Sequence, residues 1–119
     1  MKKKLYTFAL LFMISLVMHC QTIVSTSPEN KKVVLEEFTG IHCGWCPDGH
    51  TIAKNIQNNN PESVFLINIH QGGYSNPGNG EPDFRTPFGN ALAAQVGANF
   101  YPSGTINRNS NALSRGSWT

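Results

Sequence analysis

The chain has 119 residues, 39% of them hydrophobic, with three cysteines. A stretch of that length can hold one core. Nine Lys and Arg face seven Asp and Glu, but Lys2, Lys3 and Lys4 supply the whole excess, so six basic groups face seven acidic ones beyond them and no basic patch points to nucleic acid.

Lys2-Lys3-Lys4 leads into an apolar stretch from Leu5 to Met18, broken by Tyr6, Thr7 and Ser15. A bilayer crossing takes about 20 apolar residues. A basic start followed by a shorter apolar run reads as a secretory signal over residues 1–20; the alternative is a retained anchor. Val17-Met18-His19-Cys20 has the shape of a lipoprotein signal, in which Cys20 would carry lipid and tether the protein without a span. His19 speaks against it, because a small residue is usual there, and cleavage before Gln21 or near Ser25–Ser27 is the competing reading. Both predict export, to the periplasm or to the outer membrane and cell surface. In such a compartment the two remaining cysteines can pair.

Residues 21–32 are polar, contain Pro28 and read as a linker, which leaves 33–119 as the domain. Val33 to Phe38 is strand-like. Residues 44–58 predict a helix, stopped by Asn58-Asn59-Asn60-Pro61. Ser63 to His70 predicts a second strand, and its unbroken Val64–Ile67 run suits a parallel strand covered on both faces. Gln71 to Pro82 carries four glycines and two prolines without periodicity, long enough to be a functional insertion. Asp83 to Val96 predicts a second helix, with Phe88, Leu92, Ala93 and Val96 on one face, Thr86 as cap and Pro87 in the first turn. Tyr101 to Asn107 reads as a turn running into a third strand. The order β-α-β-α-β predicts an α/β fold with a mixed or mostly parallel sheet covered by helices. No closing helix precedes Trp118-Thr119, so the domain is expected to be C-terminally incomplete.

Cys43-Gly44-Trp45-Cys46 stands at the mouth of the first helix. A helix N-terminus offers unpaired N–H groups and the positive end of the dipole, and both favour thiolate over thiol. Two cysteines at this spacing close too small a loop to stabilise the chain much by entropy, so the pair reads as chemical. Cys43 is the expected nucleophile, more exposed and near the N-cap. Cys46, deeper in the first turn, is the expected resolving thiol, and Pro47 fits a turn that needs no N–H there. A zinc half-site and an inert pair are the competing readings, but zinc takes about four ligands and no second CxxC exists, so no metal and no cofactor is called for. His42, beside Cys43, would lower its pKa when protonated, or be merely solvated. Trp45 offers an apolar contact to a partner, or an idle exposed ring. His70 ends the second strand at the carboxyl edge, where open α/β sheets place their sites, and either faces the site or caps the surface. Asp48, His50, Glu81 and Asp83 show no catalytic pattern and are expected to be solvated.

Glu37-Phe38-Thr39-Gly40 ahead of Cys43 and Cys46, with Tyr101-Pro102 before a strand, resembles the thioredoxin-like superfamily. With His70-Gln71-Gly72, Tyr101-Pro102-Ser103-Gly104 and Ile106-Asn107-Arg108, the pattern is similar to the Omp28-related outer-membrane lipoproteins of Bacteroidetes-type bacteria. The resemblance covers residues 33 to about 108. It implies a cis-proline loop at Pro102 facing the CxxC, with Tyr101 presenting its backbone to an extended substrate. It also implies a buried acid at Glu37 that helps move the proton of the second cysteine. By strand alternation Val33, Leu35 and Glu37 share one face and Val34, Glu36 and Phe38 the other, so covering both faces buries at least one glutamate and raises its pKa. His42 stands where thioredoxins commonly carry tryptophan, and the final hairpin partner and C-terminal helix of that fold are not recognisable here.

Two functions follow. One is an exported thiol–disulfide oxidoreductase acting on cysteine-containing proteins or peptides. The other is a non-enzymatic, surface-associated binding lipoprotein that uses loop 71–82 for recognition. The CxxC discriminates between them, since a pure binder needs neither cysteine.

Overall fold

The computed structural model describes residues 27, 29–109 and 111–118. The expected leader at 1–20, the lipidation candidate Cys20 and most of the 21–32 linker lie outside the described residues. Among the described residues no helix is long and apolar enough to cross a membrane.

Six elements follow in order: β1 (Val33–Thr39), α1 (Cys46–Asn59), β2 (Val64–His70), α2 (Pro87–Val96), β3 (Ser103–Ile106) and β4 (Leu113–Ser114). They form one four-stranded sheet in the order β2-β1-β3-β4. β1 runs parallel to β2 from Val33↔Val64 to Thr39↔His70. β3 runs antiparallel to β1, with Glu37 opposite Gly104, and β4 antiparallel to β3. The sheet is therefore mixed, with one parallel pair. A hairpin partner for β3 is present after all, reduced to the two residues of β4.

Each helix starts and stops where its sequence supplies the signals. α1 opens at Cys46 with Pro47 in its first turn and Trp45 at the N-cap, two residues later than the periodicity predicts. It closes where the Asn60 side-chain amide donates to the Ile56 carbonyl at 2.9 Å. α2 begins at Pro87 and not at Asp83. The Thr86 hydroxyl oxygen accepts from the Gly89 N–H at 3.0 Å, which demands extended backbone at Thr86 and cuts off the residues before it. Gly97, at φ 64°, ends α2 in the left-handed conformation that glycine adopts without strain.

Two cores sandwich the sheet. Phe38, Ile69, Ala93 and Val96 pack on the α2 side. Leu35, Ala53 and Trp118 pack on the α1 side, with Ile52, Ile56, Leu66 and Leu113 around them. The buried stripe of α2 is Gly89, Ala93 and Val96 with Leu92 beside it; Phe88 lies one residue off that stripe and is 78% exposed, against expectation. Because both faces of β1 are covered, Glu36 and Glu37 are both buried, one on each side.

Candidate redox-active site

The site is built at the carboxyl end of β1. After Thr39 the chain turns at Gly40, where the Cys43 N–H donates to the Gly40 carbonyl at 3.1 Å. The His42 N–H donates to the Tyr74 carbonyl at 2.9 Å, and a Cβ on Gly40 would lie 2.5 Å from the Tyr74 carbonyl carbon. Loop 71–82 is thus clamped onto the segment that carries the cysteines.

Cys43 and Cys46 form a disulfide, with Cα atoms 5.4 Å apart. Cys46 is the first residue of α1 and fully buried; Cys43 lies in the turn before the Trp45 N-cap and is also buried, though less completely. The order of exposure is as expected, but Cys43 stands farther from the helix. The Cys46 N–H donates to the Cys43 carbonyl at 3.3 Å. Trp45 points out, 67% exposed, and the Arg115 guanidinium lies 5.1 Å from its ring centroid. Arg115 is held there by an ion pair with Asp48.

Under the first turn of α1 sits Glu37. Its side chain is 2% exposed; Oε2 lies 2.8 Å from His50 Nδ1, and Oε1 has no hydrogen-bond partner among the described residues. Burial raises the Glu37 pKa, against the lowering effect of the His50 hydrogen bond and charge. His50 Nε2 lies 3.3 Å from Thr39 Oγ1, so both ring nitrogens are engaged by β1. The expectation that His50 is a solvated bystander is corrected: it lies four residues beyond Cys46, on the same helix face as Cys46, Gly49 and Ala53, and that face meets Glu37. The spacing from Cys46 was the available signal.

Tyr101–Pro102 is a cis peptide. Pro102 is fully buried against α1, where a Cβ on Gly49 would lie 2.8 Å from Pro102 Cγ and 2.8 Å from Glu37 Oε1. The structure therefore brings Cys46, Gly49, Glu37 and Pro102 together. The Tyr101 side chain turns to the loop instead: Gln71 donates to its hydroxyl, and its ring meets Tyr74 edge-on at 5.7 Å. Burial raises its pKa.

Asp48, Glu81 and Asp83 are solvent-exposed as expected, and each also carries an ion pair. Asp48 holds Arg115, Asp83 holds Arg85 at 2.8 Å, and Glu81 holds His42 at 2.9 Å. The Gly78 N–H and then His42 hold Glu81 below its usual range. His70 turns its ring to Phe84 at 5.2 Å, tilted, and its Nδ1 is buried without a partner among the described residues. Desolvation, and secondly the charge of His50, lower its pKa, which ties it electrostatically to the site.

No family model matches this chain, and no curated protein matches it. Two solved structures are similar. HBP35 of Porphyromonas gingivalis aligns with a TM-score of 0.52 and 23% identity over 75% of this chain and 30% of its own. An Agrobacterium tumefaciens protein known from its X-ray crystal structure aligns with a TM-score of 0.50 and 17% identity over 76% of this chain and 42% of its own. The chain thus spans less than half the length of either. At such identities the likeness carries the fold, and the fold of this chain is thioredoxin-like, with the Cys43–Cys46 disulfide at the start of α1.

Proposed function

We propose that this chain is an exported thiol–disulfide oxidoreductase acting on cysteine-containing proteins or peptides. One observation carries the reading: the Cys43–Cys46 disulfide opens α1, and the first turn of that helix packs at Gly49 against a buried carboxylate, Glu37, and a buried proline, Pro102. A disulfide that only braced the fold would need no titratable group sealed beneath it. The leader-like residues 1–20 and the likeness of the motifs to Omp28-related outer-membrane lipoproteins support export; Cys20 is the residue that would carry the lipid.

In the reductive direction the Cys43 thiolate attacks one sulfur of a substrate disulfide. That S–S bond breaks, and the leaving thiolate carries off the electron pair and takes a proton from water. A mixed disulfide links Cys43 to the substrate. Cys46 then loses its proton to Glu37 and attacks the Cys43 sulfur, which releases the second substrate thiolate and closes Cys43–Cys46. The substrate disulfide is reduced by two electrons and the cysteine pair is oxidised by two. The reverse sequence oxidises a substrate dithiol. In this reading the Tyr101 backbone, just ahead of β3, would pair with an extended peptide, and exposed Trp45 with Arg115 over its ring would offer it an apolar and cationic contact.

The deciding measurement is the reduction potential of the Cys43–Cys46 pair, by thiol trapping in glutathione buffers. A reversible couple between about −120 and −270 mV is expected, the span of catalytic dithiols. A value below about −300 mV marks a structural disulfide. It would replace the oxidoreductase with a binding module that recognises partners through loop 71–82, which is clamped to the same segment.

A further inference from the structure

We infer that His50 is the relay that carries the proton of Cys46 from buried Glu37 to water. The inference rests on the oxidoreductase reading above and adds a residue to it.

Glu37 has a topological difficulty. It is sealed between β1 and the first turn of α1, and each turnover loads a proton onto it that must leave before the next. Its Oε1 faces the helix stripe that begins with Cys46, whereas Oε2 is capped by His50 at 2.8 Å. His50 is the group beside Glu37 that also reaches solvent: its side chain is 39% exposed, against 2% for Glu37. The imidazole therefore spans the wall between the sealed carboxylate and water.

Its chemistry fits that place. Imidazole has a nitrogen at each end, so it can take a proton at one and shed another from the other. Glu37 accepts the Cys46 proton in the form that burial favours. Nδ1 takes it over, Nε2 releases one to water, and the charge and proton count of the site return to their starting values. Thr39 Oγ1, 3.3 Å from Nε2, keeps the ring edge-on to both partners. The titratable groups facing His50 are Glu37 from β1, Cys46 from its own helix, and His70 from β2, whose pKa the His50 charge lowers. A neutral His70 leaves the transient imidazolium unopposed by a second positive charge.

The test separates the two exchange steps by rapid mixing of the reduced protein with a small aromatic disulfide and with oxidised glutathione, from pH 5.5 to 8.5. His50→Asn and His50→Gln each keep an amide in place of one ring nitrogen, and thermal unfolding checks that both are folded. The expected result is a first step within about twofold of wild type and a release of the mixed disulfide slowed about tenfold. The release step should also lose its pH dependence around neutrality, and added imidazole should restore it in His50→Gly. Release rates in folded Asn and Gln variants that match wild type at every pH would overturn the relay and leave the oxidoreductase standing. A wild-type protein that forms no mixed disulfide with either reagent would bring down the oxidoreductase reading and the relay together.

Discussion

Gly49 leaves no room between α1 and Pro102: a methyl group on its Cα would sit 2.8 Å from Pro102 Cγ and as close to Glu37 Oε1. The absence of one side chain sets how near the buried carboxylate and the proline approach the turn that carries Cys46.

Gly49→Ala should therefore destabilise the protein, although alanine favours a helix over glycine by about 1 kcal/mol. The contact is with a rigid ring and a sealed carboxylate, and overpacking of this kind costs about 1–3 kcal/mol. The expected net loss is up to about 2 kcal/mol in denaturant unfolding, with slower disulfide exchange because α1 is pushed off Pro102. A variant as stable as wild type would mean that the turn yields freely.

Glu37 sets a pH slope on stability. Its folded pKa is raised above the ordinary 4.5, so between 4.5 and the raised value the folded protein holds a proton that the unfolded chain has lost. Stability must then fall as pH rises through that window. Glu37→Gln removes the titrating group and should remove that fall, while it slows release of the mixed disulfide. Unfolding curves of the two proteins from pH 4 to 8 that differ by a constant offset would refute the raised pKa.

Strand and helix identity were legible because periodicity is local. β1 opens on Val33-Val34-Leu35, β2 carries the apolar run Val64–Ile67, and α1 and α2 carry proline at their starts and asparagine or glycine at their ends. That run does not mean cover on both faces, as expected, because β2 is the edge strand and leaves Phe65 and Ile67 half exposed. What was not legible depends on distance along the chain. β4 has two residues and no period of its own; it is a strand only because β3 offers an edge at Ser103 and Gly104. His50 looked like a lone surface histidine until Glu37, 13 residues earlier, was placed beneath it. Phe88 fitted the helical stripe on paper, but the stripe begins one residue later because Gly89 must approach Ile69 closely.

Glu36, on the opposite face of β1 from Glu37, answers its burial differently. Arg108, 72 residues away, donates to both carboxylate oxygens at 2.8 and 2.9 Å through Nε and again at 2.5 Å through the guanidinium end, and Thr105 adds a hydroxyl at 3.2 Å. The Glu36 hydrogen bond and charge raise the Arg108 pKa. Arg108→Ala strands a buried carboxylate. Removing one partner of a buried pair is destabilising, and with Arg108 half exposed and Thr105 still bonded the loss is expected to be smaller than for a fully buried pair. Arg108→Ala combined with Glu36→Gln should recover much of it, and a double variant as unstable as the single one would show that the guanidinium acts by packing instead.

Trp118 closes the α1 face of the sheet where the sequence pattern predicts missing cover. Two of its ring atoms lie 3.0 Å from where a Cβ on Gly104 would stand, beside Leu35 and Ala53, and its Nε1 donates to the Leu113 carbonyl at 3.3 Å. It thereby holds β4 to β3 and keeps the Arg115 guanidinium over Trp45, so one buried ring joins the core to the rim of the redox site. Trp118→Ala should cost about 3–5 kcal/mol, the range for deleting a large buried aromatic. Trp118→Phe keeps most of the buried area and should recover more than half of that. Unchanged stability in Trp118→Ala would mean that Leu35 and Ala53 are covered without it.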